Sequence, residues 1–382
     1  MTAYFDNAAT TFPKPLCVYD YMHEFYQNYG GSYGRGQYAQ AKSAGSLVMD
    51  TRRRIGDLLH CPARQIVFTP SATISLNMII SGLIKSGCRN IYISPFEHNA
   101  VTRVLYHYKR EIGVNINQLV VEADLSFNLE KIKYQFDAVK PDLVIMSHAS
   151  NVIGLIAPVE SVFALSKGYG ALNVVDMAQT AGLVDLNIGQ EIFDFAVFAG
   201  HKTLLGPTGI SGFVMKSDFN LPVTLFGGTG FDSANQDMPD NLPERFEMGT
   251  QNIVGIAGLN AALKWIEQKE VGALWSKEHE NRIRLIDILS DYSFIKTIGI
   301  SNIQQYVGIV SCILEGVSSD SAGMIFNERN IAVRTGLQCA PLAHRFLGTF
   351  PAGTIRFSVS CMTTDEDFRQ LERALESIEE EY

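Results

Sequence analysis

Polar and ionisable side chains follow the ends of several apolar segments that have the pattern of β-strands. Ligands of open α/β sheets bind beyond the carboxyl ends of the strands, so these side chains are the first candidates for chemistry. A capping serine or a buried core histidine explains any one of them, but together they predict one pocket with an anion site, an imidazole plate, a carboxylate and an amine. The residues are Ser71, Thr73, His98, Asn151, Asp176, Gln179, His201 and Lys202.

Lys202 has an unusual setting for a lysine. It follows the apolar segment "FDFAVFAG" and precedes a turn that contains Gly206, Pro207 and Gly209. The local sequence alone leaves two interpretations open, a solvated charge at the end of a strand or a functional amine.

A lysine amine, a carboxylate, an anion site and an imidazole plate are what pyridoxal phosphate requires. The amine holds this cofactor as a Schiff base, while the carboxylate pairs with the pyridine nitrogen. Free N–H groups at a helix N-terminus suit the phosphate. Asp176 lies one strand–helix–strand step before Lys202, so both side chains can reach one site from neighbouring strands. We therefore predict a pyridoxal phosphate site with Lys202 as the Schiff-base lysine.

The chain resembles the cysteine desulfurase and selenocysteine lyase family, which are class V aminotransferase-like enzymes of fold type I. Seven motifs occur in the order typical of that family and span nearly the whole length. They are "YFDNAATT" (4–11), "EHN" (97–99), "SHASNVIG" (147–154), "VVDMAQTAG" (174–182), "GHKTLLGPTGISG" (200–212), "RFEMGTQN" (245–252) and "VRTGLQCAPLAH" (333–344).

The resemblance implies a role for each candidate. Lys202 carries the cofactor, Asp176 pairs with the pyridine nitrogen, and His98 stacks on the ring. Further implied contacts are Asn151 and Gln179 near the phenolic oxygen, Thr73 and His201 at the phosphate, Thr250 at the phosphate of a neighbouring subunit, and Asn151 and Arg356 at the substrate. A homodimer with shared active sites is therefore expected, and the guanidinium of Arg356 suits a substrate carboxylate.

Cys339 matches the nucleophile of the family. Free cysteines are usually small buried hydrophobic residues, which is our interpretation of the other five. Cys339 instead lies in a loop between a glycine-containing turn and Pro341, where a thiolate can stay accessible. The short "RTG-x-x-C" form resembles the branch in which this cysteine sits on a compact loop.

Three hypotheses about function stay open at this point. The first is desulfuration of L-cysteine with transfer of the sulfur to Cys339, or the same kind of reaction on selenocysteine, which the sequence does not separate from it. The second keeps the cofactor for transamination, epimerisation or C–S lysis, and the third is a non-catalytic scaffold. The chain departs from the family pattern at Ala199, Gly34 and Thr363, where a hydroxyl residue, a histidine and an asparagine are usual, and these changes bear on substrate choice and turnover.

The elements that must position these residues alternate between strand and helix patterns. Unbroken apolar segments are typical of strands buried on both faces of a parallel sheet. Seven of them ("QIVFTP", "NIYISP", "LVVEA", "DLVIMSHAS", "LNVVDMAQ", "DFAVFAGHK" and "GISGFVMK") predict a seven-stranded, mostly parallel sheet. We predict a fold type I α/β architecture with a large cofactor domain over residues 20–240 and a smaller α+β domain formed by residues 1–19 and 241–382.

Composition narrows the class of protein and its partners. The 382 residues are 46% hydrophobic and 19% charged, and the net charge is −9. This profile predicts a globular protein with a large core and argues against nucleic acid or an anionic membrane as partner. Six scattered cysteines indicate neither a metal site nor a disulfide framework, so we expect the cytoplasm. The expected partners are L-cysteine or a related amino acid, a second copy of the chain and a sulfur-acceptor protein.

Overall fold

The structure is a computed structural model that describes residues 2–34, 36–62, 65–216, 219–231, 234–301 and 305–381. Within these ranges, no helix combines the length and the apolar character that crossing a lipid bilayer requires.

Strands and helices alternate along most of the chain. The strands are β1 (Ala3–Tyr4), β2 (Ile66–Thr69), β3 (Asn90–Ile93), β4 (Asn115–Gln118), β5 (Leu143–Ser147), β6 (Leu172–Asp176), β7 (Phe195–Ala199), β8 (Ser211–Met215), β9 (Ile295–Ile298), β10 (Ile309–Leu314), β11 (Ile331–Ala332), β12 (Arg334–Gly336) and β13 (Thr354–Ser358). The helices are α1 (Leu16–Tyr29), α2 (Ala39–Leu59), α3 (Ala72–Lys85), α4 (Asn99–Ile112), α5 (Leu129–Ala138), α6 (Val159–Lys167), α7 (Ile253–Lys269), α8 (Val271–Ser290), α9 (Ser319–Glu328), α10 (Pro341–Phe346) and α11 (Asp365–Glu381).

The largest sheet among the described residues has seven strands in the order β2-β8-β7-β6-β5-β3-β4. Strands β3 to β7 pair in parallel, whereas β8 runs antiparallel to both β7 and β2. Strands β5, β7 and β8 are buried along their whole length, which is why their sequences are apolar without interruption. The predicted mostly parallel α/β sheet is confirmed.

One strand prediction is wrong. The segment "LVVEA" at 119–123 was expected to be a strand, but β4 lies immediately before it and pairs with β3. Because β4 is an edge strand, three of its four residues are polar and none is fully buried, so no apolar pattern marks it. The apolar Leu119 instead packs into the core just beyond the strand.

The smaller C-terminal part is built on a second sheet in the order β12-β13-β10-β9, which is antiparallel throughout. Its core includes residues of α8, α9 and α11. The first strand of the chain, β1, pairs in parallel with β11, so the N-terminus joins this part of the molecule. The predicted smaller unit with an α+β architecture is confirmed.

Helix α7 connects the two parts of the molecule. Apolar residues of α7 such as Ile256 and Leu263 belong to the same core cluster as Val144 and Val175 of the large sheet. Packing therefore joins α7 to the large sheet, although it lies after residue 240. The domain limits at 20 and 240 stay a prediction.

A buried ion pair fixes the segment that leads into α7. The guanidinium of Arg52 on α2 donates to both carboxylate oxygens of Glu247, at 2.8 and 2.6 Å, and also to the carbonyl of Ile66 at 2.7 Å. Glu247 further accepts the backbone N–H of Phe68 at 2.6 Å. Both side chains are almost fully buried, so removing one partner leaves a charge without compensation.

We predict that Arg52→Met lowers the free energy of unfolding by about 3–5 kcal/mol, because the Glu247 carboxylate would stay buried and unpaired. Urea denaturation measures the change. Arg53→Ala is the matched control, since the neighbouring Arg53 pairs with Asp50 and Asp57 at the surface and should cost less than about 1 kcal/mol. Equal losses in the two variants would contradict a special role for the buried pair.

Candidate functional site

A cavity of about 290 Å³ opens at the carboxyl ends of the central strands of the large sheet. All the sequence-predicted site residues except Thr250 line it. They are Thr73, His98, Asn151, Asp176, Gln179, His201, Lys202, Cys339 and Arg356. Tertiary packing thus brings together residues that lie far apart in the sequence, and the C-terminal part supplies Cys339 and Arg356.

Lys202 and Asp176 come from neighbouring strands. Asp176 is the last residue of β6 and pairs in register with Val197 of β7, after which the chain turns through Gly200 to Lys202. Burial lowers the pKa of Lys202 to about 8, while the charge of Asp176 raises it and that of Arg356 lowers it. Burial raises the pKa of Asp176, although the N–H of Ala178 and the charge of Lys202 favour its ionised form. An amine with a lowered pKa next to a carboxylate is suited to covalent catalysis.

His98 presents a neutral imidazole to the cavity. It caps the N-terminus of α4, where its Nδ1 accepts the N–H of Ala100 at 3.0 Å, so the ring proton is assigned to Nε2. Burial lowers the pKa of His98 to about 4, helped by the charges of Lys202 and Arg356. A neutral ring near an amine suits stacking on an aromatic ligand.

One side of the cavity has groups suited to an anion. Helix α3 begins there, with Ser71 as N-cap and Thr73 in its first turn, so its free N–H groups face this region. Nδ1 of His201 is buried and has no hydrogen-bond partner among the described residues. Ala199 also lines the cavity and brings no hydroxyl group. Helix N–H groups, the Thr73 hydroxyl and the open imidazole nitrogen fit the phosphate of pyridoxal phosphate.

The guanidinium of Arg356 is held in place by groups from two distant segments. It donates to the carbonyl of Asn151 at 2.8 Å and to the carboxylate of Asp6 at 2.7 Å. Its Nε is buried without a partner among the described residues. Asp6 had no role in the sequence prediction, although it lies in the motif "YFDNAATT", which was the available signal. Arg356 is therefore oriented and still has capacity to bind an anion.

Cys339 lies on a loop with a constrained backbone. Gln338 and Cys339 have φ values of 39° and 57°, a left-handed conformation that is unfavourable for residues other than glycine. The buried Gln338 side chain donates to the carbonyl of Thr354 at 2.9 Å and bonds Nε2 of His344 at 2.7 Å. The carbonyl of Gln338 accepts from Asn151 at 2.6 Å, and that of Cys339 accepts the N–H of Asn99 at 2.7 Å. These contacts, which the sequence did not predict, hold an exposed thiol at the cavity.

Two further predicted residues have different placements. The side-chain amide of Gln179 lines the cavity and donates to the carbonyl of Ala8 at 3.0 Å. Thr250 is exposed outside the cavity, in the segment just before α7. Within one subunit Thr250 has no part in the site.

Comparison with known proteins identifies the family. The sequence profile of the class V aminotransferases matches residues 3–371. The chain belongs to the class V aminotransferase family. A probable cysteine desulfurase of Pyrococcus abyssi is 30% identical over 98% of this chain and 94% of its own length. A probable cysteine desulfurase of Methanothermobacter thermautotrophicus is 29% identical over the same shares of the two chains, 98% and 94%.

Solved structures of cysteine desulfurases resemble this class V aminotransferase along its whole length. The enzyme from Thermococcus onnurineus superposes with a TM-score of 0.90 at 28% identity, covering 99% of this chain and 94% of the other. For the enzyme from Escherichia coli the TM-score is 0.87 at 25% identity, with 99% and 95% covered. The predicted family and fold are confirmed.

We predict that acylation of Lys202 in the cofactor-free protein rises through about pH 8, because burial holds its pKa near 8 and only the neutral amine reacts. In Asp176→Asn the inflection should move to lower pH, since the carboxylate no longer favours the ammonium. Mass spectrometry of the labelled peptides measures both, with the exposed Lys133 in the same samples as control. An inflection at the pH expected for an ordinary lysine, unchanged in Asp176→Asn, would contradict the electrostatic description.

Proposed function

We propose that this class V aminotransferase is a pyridoxal phosphate-dependent cysteine desulfurase that converts L-cysteine to L-alanine and takes the sulfur onto Cys339 as a persulfide. One observation carries the proposal. The amine of Lys202 and the exposed thiol of Cys339 line one cavity together with Asp176 and Arg356. The similarity to cysteine desulfurases over nearly the full length supports the same activity.

The residues of the cavity fit the cofactor. Lys202 would hold it covalently, Asp176 would pair with its ring nitrogen, and His98 would stack on its ring. The start of α3 with Thr73, the open nitrogen of His201 and the amides of Asn151 and Gln179 would bind its oxygen atoms. When bound, pyridoxal phosphate withdraws electrons from the α-carbon of an amino acid and so makes its α-proton acidic.

The substrate is oriented by its carboxylate. The Nε of Arg356 has no partner in the described part of the chain and its guanidinium plane is fixed, so it can bind the α-carboxylate with Asn151 beside it. Because the pKa of Lys202 is lowered to about 8, its amine is partly neutral near neutral pH and can accept the α-proton. Arg356 thus sets position, and Lys202 moves the proton.

Cys339 performs the sulfur transfer. Its thiolate forms an S–S bond with the substrate sulfur while the bond between that sulfur and the β-carbon breaks. The electron pair stays with the carbon fragment, whose β-carbon takes the proton of the substrate thiol, and Lys202 returns the α-proton before alanine leaves. The charge of the thiolate ends on the outer sulfur of the persulfide, so atoms and charges balance.

Two partners belong to the proposal. Thr250 lies outside its own cavity, which is consistent with the expectation that it reaches the phosphate of a second subunit in a homodimer. The compact loop keeps the Cys339 persulfide at the cavity, so we expect slow turnover unless a thiol or an acceptor protein removes the sulfur. The free thiols of all six cysteines fit a reducing cytoplasm.

The test compares two substitutions with separable effects. Lys202→Ala should abolish the visible absorbance of bound cofactor and all chemistry on amino acids. Cys339→Ala should keep that absorbance and its response to cysteine, because neither depends on the thiol, yet alanine formation and protein-bound sulfur should fall on the order of a hundredfold or more.

Cys17→Ala is the matched control, since Cys17 is the other exposed cysteine among the six and lies on α1 away from the cavity. It should retain wild-type alanine formation. If Cys339→Ala produced alanine from cysteine at the wild-type rate, the persulfide route would be wrong and another cofactor-dependent reaction would be the better account.

A further inference from the structure

The N-terminal residues from Thr10 to Lys14 lie against the backbone that carries Lys202. The carbonyl oxygen of His201 accepts three hydrogen bonds from this segment. The donors are the N–H of Thr11 at 3.2 Å, the hydroxyl of Thr10 at 3.1 Å and the ammonium of Lys14 at 2.6 Å. A carbonyl oxygen has two lone pairs, so three donors leave this peptide group little freedom to rotate.

The next peptide group is held in the same way. The carbonyl oxygen of Lys202 accepts the hydroxyl of Thr11 at 2.9 Å and the N–H of Leu205 at 2.8 Å. The N–H of Gly206 donates to the carbonyl of Gly200 at 2.7 Å and closes the turn. The backbone on both sides of the Lys202 side chain is therefore fixed by contacts that do not involve its amine.

Lys14 is the charged member of this set. It is 9% exposed, and burial lowers its pKa to about 8 without an opposing carboxylate among the described residues. Burying an ammonium costs free energy unless hydrogen bonds or an opposite charge compensate for its lost hydration. A neutral side chain at this position would lose less hydration. Its bond to the His201 carbonyl is charge-assisted and hence stronger than the neutral ones beside it. Lys14 lies behind this peptide group and does not form part of the cavity wall.

We propose that Lys14 is a positioning residue for Lys202, acting through the His201 carbonyl to which it donates. The inference rests on the proposed function, because it takes Lys202 as the reactive amine. Lysine has a long flexible side chain, so a fixed backbone is what limits the places its amine can reach. The ammonium of Lys14 also contributes to the lowered pKa of His201, behind burial and the charge of Lys202, and so helps to keep that imidazole neutral.

The experiment compares Lys14→Met, Lys14→Arg and Lys216→Met in the full-length protein. Lys216 is the matched control because its amine also donates to a backbone carbonyl, that of Glu191 at 2.8 Å, and it does not line the cavity. In Lys14→Met, acylation of Lys202 at pH 8 in the cofactor-free protein should fall roughly threefold, since a less confined amine is better hydrated and its pKa rises. Lys14→Arg should restore it, and Lys216→Met should match the wild type.

Kinetics of the cofactor-loaded enzyme provide the second measurement. In Lys14→Met, kcat for cysteine should fall on the order of tenfold or more, whereas KM should change little, because the hydrogen bonds that hold Arg356 go to Asn151 and Asp6 and not to Lys14. If Lys14→Met showed the same acylation of Lys202 and the same kcat as Lys216→Met, the inference would be overturned. A wild-type protein that makes no alanine from cysteine would refute the proposed function instead, and the labelling result would still decide the role of Lys14.

Thr10→Val and Thr11→Val provide the same test if Lys14→Met does not fold. Both changes keep the side-chain shape and remove one donor, to the His201 carbonyl in the first case and to the Lys202 carbonyl in the second. Slower acylation of Lys202 together with a lower kcat in these variants would support a positioning role for the hydrogen bonds from this N-terminal segment. Wild-type values in both would overturn it.

Discussion

The chemistry of this cavity depends on keeping a lysine amine out of bulk water next to a carboxylate. Burial lowers the pKa of Lys202 to about 8, and Asp176 opposes that shift without cancelling it. The same burial raises the pKa of Asp176, so burial opposes the charge on both groups while each charge favours the ionised form of the other. The charge of Arg356 also lowers the pKa of Lys202, and the charge of Lys202 in turn helps to keep His98 neutral. The packing that excludes water is therefore the condition for the roles proposed for Lys202, Asp176 and His98.

That exclusion depends on the two ends of the chain. Asp6 holds the guanidinium of Arg356, and the carbonyl of Ala8 accepts from Gln179. The hydroxyl of Thr11 donates to the carbonyl of Lys202. The large sheet supplies the strand ends, but the N-terminal segment and the C-terminal sheet complete the wall. Folding of both parts is therefore required before the amine is desolvated.

The thiol is positioned by a different principle. Gln338 and Cys339 both adopt left-handed backbone conformations, each at a cost of about 1–3 kcal/mol that the surrounding contacts must offset. The hydrogen bonds of the Gln338 side chain to Thr354 and His344 contribute to that compensation. A loop held in this way gives a defined thiol position and little range of movement. Such a loop favours attack on a substrate in the cavity over delivery of sulfur to a distant acceptor.

The sequence by itself determined the family, the α/β architecture and the residues that line the cavity, because motifs and buried apolar segments are local features. It could not place the edge strand β4, whose polar residues carry no periodic signal. Nor did it reveal the contacts of Asp6, Gln338 or Lys14, since each depends on a partner far away in the chain or on an unusual backbone angle. Only the tertiary structure decided these, because desolvation and hydrogen-bond geometry arise when distant segments pack together.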